Sequence, residues 1–280
     1  MKLVYYFLAI TMACAPFVKT RLPLYGLMLG TSFMAYYQGI MSLTGAACLL
    51  GLAGISYLYF NHPRINKFFR LILFLIISAI LAALVLHDLP GFYNSLVVER
   101  VIVGNSSRFF SIYLNFDKVM GGLIIYTGSK LIFNEKKFTL TVFKKTIQVL
   151  LACLGTIILP ALLIRYVKVD LKLPDILTIW VLNNLFFVSF AEEAIFRGFL
   201  QHELKKYIHS KHQHFFFVLV LSSILFGLSH YRYGTIYICF AAVCGIFYGY
   251  AYEKTKRILS AILVHFGFNL THLLVFTYPY

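Results

Sequence analysis

Apolar runs long enough to cross a bilayer recur from one end of this chain to the other, with short polar segments between them. A hydrocarbon core about 30 Å thick takes about 20 apolar residues as a helix. Every backbone polar group inside that core must be satisfied within its own element. A chain with this pattern folds as a helical membrane protein. Of the 280 residues, 60% are hydrophobic and 12% charged, against about 25% charged in a soluble domain. A soluble fold of this length cannot bury so much apolar surface. That excludes a secreted enzyme, a soluble nucleotide-binding domain and a disordered regulator.

The chain reads as all-α, a polytopic transmembrane bundle of about ten spans, with eight to ten as the range. The spans are expected near 3–18, 22–39, 41–60, 68–87, 118–133, 146–167, 176–200, 215–231, 234–252 and 258–277. One long polar stretch, Asp88 to Asp117, interrupts them. Its Val97-Val98 and Val101-Ile102-Val103 suit an interfacial helix or a short hairpin. Small residues four apart, Gly26/Gly30 and Gly245/Gly249, suit close helix packing inside one bundle.

The net charge is +15. Its basic residues gather in the loops at 19–21, 61–70, 134–145, 201–214 and 253–257, and alternate loops hold fewer. The positive-inside rule puts the first set in the cytoplasm and both termini outside. The partner this charge implies is the lipid bilayer, not nucleic acid. Two regions follow: residues 1–170, a transmembrane part with no motif that can be placed, and residues 171–280, which hold every motif below.

Glu192 and Glu193 are adjacent within the apolar run from Phe186 to Arg197. A charge inside a membrane helix costs about 2.5–3.5 kcal/mol on insertion scales, so a pair there marks function. Arg197 lies four residues after Glu193, on the same helical face. An ion pair that fixes helix register accounts for Arg197 and one glutamate, and leaves Glu192 over. The next apolar run ends at Phe226-Gly227-Leu228-Ser229-His230, and the last holds His265 and Asn269 one turn apart. A lone histidine in an apolar helix is more often a packing residue than a catalyst. Three helices that carry Glu-Glu-Arg, His and His-Asn in order read instead as the lining of one cavity. His87 and His272 lie near span ends and have no role in this reading.

Glu192-Glu193-x-x-x-Arg197, Phe226-x-x-x-His230 and His265-x-x-x-Asn269 together are similar to the three motifs of the CAAX-protease and bacteriocin-processing family, which includes the Ras-converting CAAX endopeptidases. The resemblance covers roughly residues 176–275. Each motif is weak alone, and the ordered set is specific. It implies intramembrane hydrolysis of a peptide bond in a peptide or protein substrate, lipidated or not. By resemblance Glu192 is the general base, His230 holds the same water, and His265 and Asn269 face the substrate carbonyl. Glu193 pairs with Arg197 and orients the helix. No cofactor is favoured. The competing mechanism is a catalytic zinc held by Glu192, His230 and His265 with water as fourth ligand. The lack of an HExxH motif and the arginine beside the glutamates count against it. A non-proteolytic scaffold or immunity protein on the same fold is the alternative of another class. A proton-coupled transporter using Glu192 and Glu193 is a third, against which stands the absence of inverted repeats. The compact chain suits a multi-pass protein of a bacterial inner membrane.

Overall fold

The computed structural model describes residues 2–15, 18, 20–104, 109–129, 137–208 and 214–278. It is mostly helical, at 74%. The helices are α1 (Leu3–Cys14), α2 (Arg21–Tyr37), α3 (Leu43–Asn61), α4 (Lys67–Leu86), α5 (Phe116–Gly128), α6 (Leu140–Leu163), α7 (Leu177–Leu204), α8 (His214–Leu228), α9 (Thr235–Thr255) and α10 (Ile258–Val275). Three of their starts carry side-chain caps. The side chains of Ser42, Asn66 and Thr139 accept from the backbone N–H three residues on, at α3, α4 and α6.

These helices fall on the ten expected positions, but ten spans are not confirmed. Among the described residues six helices are long and apolar enough to cross a membrane: α3, α4, α6, α7, α9 and α10. At 1.5 Å per residue, α1, α5 and α8 are about 18–23 Å long, short of the about 30 Å core. Six such helices still make a multi-pass membrane protein. The chain is mostly helical, as expected, and of the two forms open to the polar stretch it takes the hairpin, β1 (Ser95–Ile102) and β2 (Phe109–Leu114). The apolar residues that left its conformation open now have a reason. Val103 and Ile112 pack with Trp180 and Leu273 in a buried cluster.

The chain divides into two compact units. The first is Met1–Ser95, Leu114–Glu135 and Phe190–Glu203. Here α5 is central: all thirteen of its residues are buried, and it packs on α2, α3, α4 and residues 190–203 of α7. Gly122 allows this approach, since a Cβ there would lie 3.1 Å from Ala191 Cα. Gly26 and Gly30 do not act this way, for a Cβ at either meets nothing within 4 Å. The second unit is Leu96–Tyr113, Lys136–Ser189 and Leu204–Tyr280. In it α6, α9 and α10 pack mutually and α8 lies along α9.

Candidate active site

Glu192 and Glu193 sit on a helix that departs from α geometry. Within α7, Asn183–Phe190 and Ala194–Gln201 are π-helical, and one α turn, Ala191–Glu193, lies between them. π-Helical turns are rare and often mark functional sites. In the first unit this turn is buried: Glu192 is 5% exposed, and Glu193 and Arg197 are fully buried. Arg197 Nη1 donates to Glu193 Oε1 at 3.2 Å, the expected register pair.

Glu192 takes a different cation. Lys118 of α5, itself 5% exposed, donates from Nζ to Glu192 Oε1 at 2.7 Å. The preceding residue anchors that lysine. Asp117 Oδ1 accepts from the Lys118 backbone N–H at 2.8 Å and from Asn94 Nδ2 at 3.0 Å. Asp117 Oδ2 meets His87 Nδ1 at 2.7 Å. His87 ends α4 in the left-handed region, at φ 59°, and this turn brings its ring to Asp117. His87, unassigned from sequence, therefore belongs to the support of Lys118.

The second unit gathers the histidines. His230 closes α8, and its Nδ1 lies 2.9 Å from the Phe226 carbonyl oxygen. A carbonyl only accepts, so Nδ1 carries the proton and Nε2 presents its lone pair. Phe226 stands beside both catalytic candidates, with ring centroids 5.0 Å from His230 and 5.7 Å from His265. His265, buried in α10, stacks on Tyr248 of α9 at 4.5 Å and 14°. Asn269 Nδ2 donates to Asn184 Oδ1 at 3.3 Å, and Ser189 Oγ reaches the same oxygen at 3.4 Å. His272 turns elsewhere: its Nε2 donates to the Thr277 carbonyl at 3.1 Å, and its ring packs on Tyr278.

The six site positions, Glu192 to Asn269, thus fall into an acid cluster in one unit and a histidine cluster in the other. Residues 174–271 match the family model described as type II CAAX prenyl endopeptidase Rce1-like. This region is similar to the CAAX-protease family, as the three motifs led one to expect. Searches of curated proteins and of solved structures return no match. The Rce1-like region implies protease activity in general and a protein or peptide substrate in the membrane. It contains all six site positions and stops short of His272.

Two polar partners escaped the sequence reading. Lys118 lies outside the Rce1-like region, 74 residues before the glutamate it holds. It looked like the charged edge of a span. Asn184 lies inside the region, 85 residues before Asn269. The one signal for it was an Asn-Asn pair within an apolar run.

Proposed function

We propose that this protein is an intramembrane endopeptidase that hydrolyses a peptide bond with water activated by Glu192 and His230. The observation that carries this reading is the buried Lys118–Glu192 pair. The Lys118 ammonium holds Glu192 Oε1 at 2.7 Å and so fixes the orientation of the carboxylate. A general base must be held in position for the proton it takes.

The proposed steps are as follows. The Glu192 carboxylate takes a proton from water while His230 Nε2 accepts a hydrogen bond from the hydrogen that stays on the oxygen. The hydroxide oxygen bonds to the scissile carbonyl carbon, and the carbonyl oxygen gains the negative charge. His265 and the amide N–H of Asn269 that Asn184 does not hold donate to that oxyanion. One such donor is worth about 10²–10³ in rate. The carbon–nitrogen bond then breaks, and Glu192 gives its proton to the leaving amine. Water is consumed, and a carboxylic acid and an amine are released, the acid passing its proton to the amine to leave a carboxylate and an ammonium.

A zinc at Glu192, His230 and His265 would supply a Lewis acid instead. The donor set fits it poorly, because an ammonium already holds Glu192 Oε1 at 2.7 Å. The reading is therefore metal-free. The test is cleavage of a peptide library by purified protein, wild type against Glu192→Ala, with and without a zinc chelator. Loss in the mutant with indifference to chelator is expected. Loss in chelator moves the chemistry to zinc, and no cleavage by wild type removes the protease reading.

A further inference from the structure

The first unit holds a cavity of about 430 Å³ between α2, α3 and α5, within the range of small-molecule sites. Its lining runs along α3 from Leu43 to Tyr57 and along α2 from Tyr25 to Tyr36, about 21 Å and 16 Å at 1.5 Å per residue. That volume over that length makes a slot about 5 Å wide. One hydrocarbon chain fits it at the usual carbon contact spacing of about 3.5–4.0 Å. The wall is apolar, and Met28, Met41 and Met120 give it an adaptable surface. Its rim residues Leu29, Phe33 and Leu50 are 63–73% exposed on the helices, where a membrane protein meets lipid.

Two serines break the apolar wall. Ser32 Oγ donates to the Met28 carbonyl at 2.8 Å. Ser56, 1% exposed, has a buried Oγ with no hydrogen-bond partner among the described residues. Ser56 lies near the end of the slot where α2 begins and α3 finishes. There Arg21 Nη1 donates to Asn61 Oδ1 at 3.0 Å, about 7.5 Å further along α3. Exposed Arg64 and Lys67 follow at once. From its depth outward, the slot offers an apolar channel, a hydroxyl in need of a partner, and a group of cations. A glycerophospholipid presents the matching order: acyl chain, ester carbonyl, phosphate.

We propose that this slot binds one acyl chain of a bilayer phospholipid, with its ester carbonyl accepting from Ser56 and its phosphate beside Arg21, Arg64 and Lys67. The lipid comes from the bilayer and not from a lipidated substrate, because α5 stands between the slot and Glu192. Lys118 and Gly122 face Glu192 and Ala191. The slot residues Met120, Ile124 and Gly128 lie roughly 200–280° around the same helix. A chain anchored at Glu192 would have to pass round a fully buried helix to reach them.

The test needs no protease activity. The full chain is reconstituted in vesicles with phosphatidylglycerol that carries a diazirine in one acyl chain. After illumination, label is expected on the slot segments of α2, α3 and α5, above that on the outer faces of α4 and α6. Unlabelled phosphatidylglycerol should compete at least about 5-fold better than phosphatidylcholine. Arg64→Gln/Lys67→Gln, both on the surface, should erase that preference while the label stays in the slot. Ala53→Phe should cut slot labelling about 5-fold at unchanged thermal stability. Ser56→Ala serves as a second, milder variant if Ala53→Phe fails to fold, and should weaken labelling at least 2-fold. Uniform labelling of all lipid-facing helices overturns the proposal, as does displacement by a lipidated peptide and not by phospholipid.

Discussion

Lys118 and Glu192 are two opposite charges inside an apolar interior, so neither can be changed alone without consequence. Removing one partner of a buried pair typically costs about 3–5 kcal/mol, because the other charge stays buried without it. Lys118→Met should lower thermal stability by an amount of this order and slow cleavage by at least about 10²-fold. Lys118→Arg keeps the charge and should retain most of the stability. Lys118→Met/Glu192→Gln, with both charges gone, should recover stability and still fail to cleave. Thermal unfolding and single-turnover cleavage on the four proteins check this; full activity in Lys118→Met would remove Lys118 from the mechanism. The glutamates, the arginine and the histidines were legible in the sequence because a charge in an apolar run stands out. Lys118 was not, because its partner is set by how α5 packs on α7, and a lysine two residues inside a helix resembles an ordinary span edge. His87 was hidden in the same way: its role depends on a left-handed turn at the end of α4.

Helix positions were legible from hydropathy, and element irregularities were not. No residue pattern announced the two π-helical stretches around Ala191–Glu193. The spacing of small residues misled at Gly26 and Gly30, which pack on nothing, and gave no notice of Gly227. There a Cβ would lie 2.7 Å from the Ile238 carbonyl oxygen and 2.8 Å from Ala242 Cβ. Gly227 thus sets how closely α8 lies on α9, one residue after Phe226 and three before His230. Gly227→Ala should push the helices apart, destabilise by about 1–3 kcal/mol as overpacked cores do, and reduce cleavage by shifting His230. Gly26→Ala, with open space around it, should be neutral or stabilise by about 0.5–1 kcal/mol, since alanine favours a helix. Equal effects of the two substitutions on unfolding would show that the α8–α9 contact does not govern this region.

For the molecule as a whole the open quantity is how often the chain crosses the bilayer, and α5 decides it. By length α5 is too short to span, and its burial removes it from lipid altogether. Its ends nevertheless lie beside opposite ends of a spanning helix. Asp117, at its start, meets His87 at the end of α4. Gly128, at its finish, lies against Phe60, just before the turn that leads into α4. The helix therefore runs antiparallel to α4 and carries the chain back toward the side of the loop after α3. A length criterion misses this return because protein, not lipid, surrounds the helix and its charges. The basic loops agree, since positive residues collect on one side. Single cysteines at Arg64, Lys144 and Lys254 should then be labelled by a membrane-impermeant thiol reagent from one face of sealed vesicles. Cysteines at Glu99 and Lys168 should be labelled from the other, in a background without the five native cysteines. If Lys144 labels with Glu99 instead, α5 does not return the chain, and every loop after it changes sides.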